Sequence, residues 1–155
     1  MKETERIHDQ LRRAFEGDAW HGPALRELLA GVTAEQAARR AIQGAHTIWE
    51  LALHLAAWED VVRRRLEGEE LDLSPQQDWP AAQGNDGAWQ RAVESLELGN
   101  RRLRERAAAF PDQRLGETAP GMNYSFYVML HGVIQHDLYH AGQIAILKKA
   151  LAGNS

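Results

Sequence analysis

The sequence predicts an all-α protein, a four-helix bundle with long crossover connections and short connector helices. Three observations lead there. Apolar residues recur at three- and four-residue intervals through four long segments, and no segment alternates as a strand would. Helix-start and helix-stop signals bracket those segments. The connections between them are polar and rich in Gly and Pro, and one is long enough to return along a whole bundle. With 155 residues and 44% hydrophobic composition, the chain reads as one domain over residues 1–155.

The first long helix is expected over residues 3–17, with Ile7, Leu11, Ala14 and Phe15 on one face. A turn from Asp18 leads to Pro23, which is expected to open a short helix through Leu29 that Gly31 stops. Thr33 is placed to cap another short helical turn. The second long helix begins at Thr47, where Thr47 and Glu50 have capping-box spacing, and runs to about Glu67 before Gly68. Its first half (Ile48, Trp49, Leu51, Leu53, Leu55, Trp58) is apolar on most sides, which calls for burial at the bundle centre or at a subunit interface.

Residues 69–85 form a polar linker. Fully extended it reaches about 55 Å, so it can return along a helix of about 30 Å and leave the second and third helices parallel. The third helix is expected over residues 86–110. Trp89, Val93, Leu96, Asn100, Leu103, Ala107 and Phe110 form its seam, with Asn100 the odd member. Pro111 ends it. The last helix is expected from Tyr124 to Leu151, with Lys148 and Lys149 near its negative end.

Charge and composition exclude several functions. The net charge is −4 with both signs interspersed, so there is no basic stripe for nucleic acid. Cysteine is absent, which rules out a disulfide framework, a thiolate metal site and a thiol nucleophile from this chain. The N-terminus is charged, without an apolar signal core, and no apolar run has membrane-spanning length. A cytoplasmic protein with no nucleic-acid or membrane partner is expected.

The histidines carry the chemistry. His136 and His140 are four residues apart. Taking His136 as zero, His140 lies at about +40°, Gln143 at about −20° and Gly132 at about −40° on the same helix face. His54 occupies the seam of the second long helix. Burying three seam imidazoles is costly unless their ring nitrogens are satisfied by hydrogen bonds or by an ion. Three imidazoles from two facing helices form a metal site with one open coordination position, the catalytic kind. The helices that carry the three histidines contain neither E-x-x-H nor H-E-x-x-H, and no pair of seam carboxylates from facing helices is evident, which argues against a di-iron centre and a zincin protease.

Around these ligands, Glu50 is a capping residue or a general base, and Gln143 orients a ligand or a bound water. Asn100 contacts substrate or fixes register, and Asp137, about 100° off the ligand stripe, meets solvent or a neighbouring helix. Gly132 either leaves room beside the metal or permits close helix packing. His131 points about 140° away from the ligands and is excluded. His46 and His21 fall in turns and His8 on a helix surface.

Together HTIWELALHLAAWE, HGVIQHDLYHAGQIAILKKAL and AWHGPALRELLAGVTAEQAA resemble the DinB/YfiT-like superfamily of metalloenzymes, over nearly the whole chain from Leu11 to Leu151. The resemblance implies a four-helix bundle in up-down-down-up order, with His54, His136 and His140 as ligands of a divalent metal, zinc or nickel. It also implies a homodimer and, in some relatives, a low-molecular-weight thiol as cofactor. The expected function is metal-dependent chemistry on a small molecule, either hydrolysis or thiol transfer, with a diffusible thiol because the chain has none. The alternative is a non-catalytic stress-response or binding bundle, dimeric through the apolar half of the second helix and holding a structural metal.

Overall fold

The computed structural model describes residues 1–153; Asn154 and Ser155, the end of the expected domain, lie outside the described residues. Seven α-helices occur among those residues: α1 (Glu3–Phe15), α2 (Leu25–Leu29), α3 (Ala34–Ala38), α4 (Ile48–Leu66), α5 (Pro75–Asp78), α6 (Asp86–Ala108) and α7 (Phe126–Gly153). The protein is all-α; no strand forms among the described residues, only an isolated bridge between Thr118 and Ser125.

Local chemistry sets the helix starts. At α4, Thr47 Oγ1 accepts from the Glu50 backbone N–H (3.1 Å) and the Glu50 carboxylate accepts from the Thr47 N–H (2.8 Å), the reciprocal box the spacing predicts. Thr33 caps α3 in the same way. In α2 the cap is Ala24, whose N–H donates to Glu27, so Pro23 lies upstream of the helix and does not open it. Gly31 follows with φ +74°, the left-handed turn that glycine adopts without strain. The last helix starts later than the pattern suggests, because residues before Phe126 are bonded to the preceding loop: Phe126 N–H donates to Glu117 and Ala119 N–H to Tyr124.

The long helices contact one another in a ring, α1 with α6 and α7, and α4 with α6 and α7. Paired residues give their directions. Trp49 meets Trp89, Glu59 meets Asn100 and Arg106 reaches the Leu66 carbonyl, so α4 and α6 run the same way. His54 meets His136 and Arg65 meets Tyr124, so α4 and α7 run oppositely.

Two apolar clusters fill the interior. One gathers Phe15, Leu25, Trp49, Leu55, Trp89, Leu96 and Ile144. The other gathers Ile7, Leu11, Leu66, Leu103, Phe110, Phe126 and Leu130. Between their levels lies a fully buried polar layer, Glu59, Asn100 and Asp137. The apolar half of α4 is covered inside the chain by α2, α3, α6 and α7, with Ile48, Trp49, Leu51 and Leu55 at most 2% exposed. Its hydrophobicity is therefore used in the chain's own core, which removes the reason for reading it as a subunit interface.

Candidate metal centre

The antiparallel packing of α4 and α7 brings His54 opposite His136 and His140. One ligand atom from each of the three lies within 4.8 Å of the others. His54 Nε2 and His136 Nε2 are 3.0 Å apart, and the His140 ring centroid is 4.8 Å from that of His54 and 4.5 Å from that of His136. His54 and His140 are buried, while His136 is partly open to solvent.

The outer nitrogens of two rings are held in place. His54 Nδ1 lies 2.8 Å from the Asp78 carbonyl oxygen and 3.0 Å from Asp78 Oδ1. His140 Nδ1 lies 2.7 Å from Gln143 Oε1. These oxygens only accept, so each Nδ1 carries the proton and donates, and each Nε2 keeps a lone pair directed inward. Burial pushes the His54 ring down in pKa and the His140 ring down to about 4, only partly offset by the bond to Gln143 in the second case. Both are neutral near pH 7, the state in which imidazole binds a cation. A donor set of three imidazole nitrogens at this spacing fits a divalent ion with nitrogen bonds of about 2.0–2.1 Å. No fourth histidine or carboxylate joins the group among the described residues.

A comparison with protein families matches residues 19–144 to the DinB superfamily. The chain belongs to that superfamily. No curated protein and no solved structure matches it. The matched span contains all three histidines and both of the residues that hold their outer nitrogens. In this member of the superfamily, the three-histidine group could hold a metal ion.

Two residues at the site escaped sequence reasoning. Asp78 and Trp79 come from the linker, where Ser74 and Gln77 form a capping box with Pro75 at the first helical position and start α5. The Trp79 indole lies flat between two imidazoles, 3.9 Å from His54 and 3.5 Å from His46, each within 5° of parallel. Trp58 Nε1 donates to Asp78 Oδ1 at 2.7 Å and anchors the loop to α4. The S-P-x-Q signature, followed by a lone Trp in a polar stretch, was the available signal.

The other candidates separate. The Glu50 carboxylate is occupied by the Thr47 N–H, Arg40 and His46. Burial raises its pKa, but these partners outweigh burial and hold it below the usual value. Its anion is thus tied to the helix start. His46 lines a cavity of about 340 Å³ together with Gln143 and stands beside the cluster across Trp79. Asn100 does not reach the histidines; its amide donates to Glu59 Oε1 at 2.8 Å. His131 contacts Glu3 and Tyr127, away from the cluster.

Asp137 is fully buried and faces Glu59 across α4 and α7, so a pair of interior carboxylates from facing helices does exist, contrary to the sequence reading. The single-stripe argument failed because α7 is covered on several sides, so a residue 100° off the ligand direction still points inward. Burial first, then the charge of Asp137, pushes Glu59 well above the usual carboxylate range. Burial also raises Asp137. Protonated, Glu59 can donate to its neighbour, which accounts for two of the three carboxylate oxygens otherwise left without a partner.

Proposed function

We propose that the chain is a metal-dependent enzyme acting on a small molecule, with His54, His136 and His140 holding one divalent ion. The single observation that carries this is the set of converging imidazoles: two have their Nδ1 protons committed to Asp78 and Gln143, and no fourth protein ligand closes the set among the described residues. A structural ion would use that fourth ligand; an open position is what substrate or water requires. Zinc or nickel is the proposed metal, since imidazole suits either.

When bound, such an ion lowers the pKa of a coordinated water or accepts a thiolate, so the two proposed reactions are hydrolysis of an amide or ester and transfer of a low-molecular-weight thiol. The protein's own residues supply the rest. Asp78 and Gln143 fix the ring tautomers, Trp79 closes one side against solvent, and His46, oriented by Glu50, is placed to move a proton at the edge of the site. A second copy is proposed to pack on the exposed outer stripe of α7, where Val128, Tyr139 and Ile146 face solvent. The four long helices are read as the up-down-down-up bundle, a reading supported by their pairwise directions.

The test is an activity screen of zinc- and nickel-loaded protein against amide and ester substrates, and in parallel against small thiols with electrophiles. Turnover in one panel, lost in His140→Ala, supports the reading and selects the reaction. Silence in both, with metal bound, supports a binding bundle instead.

A further inference from the structure

A cavity of about 300 Å³ runs between α4 and α7 and has His136 at one end. It lies within the size range of small-molecule pockets. Trp58, Val62 and Gly132 form its apolar walls, and Arg65 and Tyr124 line it at the far end. Gly132 has no packing partner that would require a glycine: a Cβ there would meet nothing within 4 Å. The close-packing explanation is therefore excluded, and a residue that weakens the helix interior by about 1 kcal/mol is left beside open space.

Arg65 is unusual for a buried arginine. Its side chain is 3% exposed, yet the nearest carboxylate, on exposed Asp72, is 3.9 Å away. Its guanidinium donates to the Leu71 carbonyl through Nε and Nη2 and to the Tyr124 hydroxyl through Nη1. Of its five N–H groups three are used by neutral acceptors, and its one ion pair is the long contact to the exposed Asp72. A buried cation of this kind favours a ligand that brings its own negative charge.

We propose that this cavity binds an elongated, largely apolar carboxylate, with the anion at Arg65 and Tyr124 and the opposite end directed to His136. Tyr124 at the charged end, just before α7, and His136 at the other are twelve positions apart, which sets the two ends about 18 Å apart along the helix, so the ligand is a long one. The inference deepens the metal-enzyme reading by naming its substrate class, but the binding test is run on metal-free protein, so loss of metal uptake and loss of ligand binding are separate failures.

The probes are octanoate, octan-1-ol and octylamine, followed by the quenching of tryptophan fluorescence and by calorimetry. Octanoate is expected to bind about ten-fold or more tighter than the alcohol, with the amine weakest. Arg65→Met should bring octanoate down to the level of the alcohol. Because Arg65 also clamps the Leu71 loop, Gly132→Leu is the second variant; it should fill the cavity, leave the helical signal unchanged and weaken both probes about ten-fold or more. Equal binding of octanoate and octanol to the wild type, tighter binding of the amine, or octanoate affinity unchanged in Gly132→Leu would overturn the proposal.

Discussion

Two polar clusters lie side by side between α4 and α7, and they are satisfied in opposite ways. The histidine cluster has acceptors on its outside: Asp78 and Gln143 take the Nδ1 protons, and the lone pairs converge. The carboxylate layer has a shortage of donors: Asn100 gives one hydrogen bond to Glu59, while Glu59 Oε2 and both Asp137 oxygens are buried without a donor. One cluster could be completed by a cation and the other by protons. Burial of polar groups does not by itself distinguish the two clusters; the direction of the hydrogen bonds around them does.

The strongest way to break this contrast is to remove a ring. His54→Ala or His140→Ala should take metal content from about one ion per chain to nearly none by elemental analysis, with helicity retained. Glu59→Gln should leave metal content intact. Full occupancy in the histidine variants would show that the convergence has another purpose.

Acid should act on the two clusters with opposite sign. His140 titrates at about 4 in the folded chain, below its usual 6.5. Its contribution is complete above pH 6.5 and is lost as pH falls toward 4, by at most about 3 kcal/mol. His54 is shifted the same way. Glu59 is raised, so its contribution is complete below its usual 4.5 and fades as pH rises through the folded value. Urea unfolding of metal-free protein between pH 7 and 4.5 reads the sum of these opposing contributions, and His140→Gln, which removes the acid-sensitive ring, should shift the slope toward greater stability at low pH. A slope unchanged in that variant would place the acid-sensitive group elsewhere.

The hydrogen bonds outside the rings come next in size. Gln143→Leu removes the acceptor that fixes the His140 tautomer and should weaken metal binding about 10- to 100-fold without abolishing it. Asp78→Ala should do the same through His54 and also release the Trp58 anchor. Competition with a chelator of known affinity measures both, and an unchanged affinity would mean that the rings are positioned by packing alone.

These residues also show what a single chain of letters makes legible. His54, His136 and His140 were readable because a helix converts four-residue spacing into a shared face and an apolar stripe into an inward direction. The Thr47–Glu50 box was readable because both partners are local. Asp78 and Trp79 were not, since a crossover loop has no period from which to infer where it lands. Asn100 was visible as a polar misfit on a seam, but its partner Glu59 is 41 positions earlier and is identified only once α4 and α6 lie parallel. Asp137 meets a neighbouring helix, one of the two readings its position allowed, but its pairing with Glu59 was missed because one-stripe reasoning assumes one buried face, whereas α7 has neighbours on several.

The carboxylate layer offers a finer test of the proton argument. Glu59→Gln keeps the acceptor for Asn100 and cannot ionise. Relative to the wild type it should gain about 1–2 kcal/mol between pH 5 and pH 8, as the wild type is increasingly forced either to hold a proton or to bury a charge. Denaturant midpoints at the two pH values measure it. A constant difference between them would mean that Glu59 does not titrate in this range.

The smallest effect separates the cavity from the core. Gly132 and Gly99 both interrupt long helices, but their surroundings differ. A Cβ at Gly99 would meet Glu59 Oε2 at 3.8 Å, whereas one at Gly132 would meet nothing within 4 Å. Gly132→Ala adds a methyl group where nothing resists it, and it reduces the conformational freedom of the unfolded chain, so it should stabilise by about 0.5–1 kcal/mol. Gly99→Ala receives the same backbone benefit but sets an apolar group against a buried carboxyl, so its gain should be smaller. Equal gains at the two positions, read from denaturant midpoints at one pH, would mean that neither surrounding matters. A loss at Gly132 would mean that the space beside His136 is not free, and the ligand argument would fall with it.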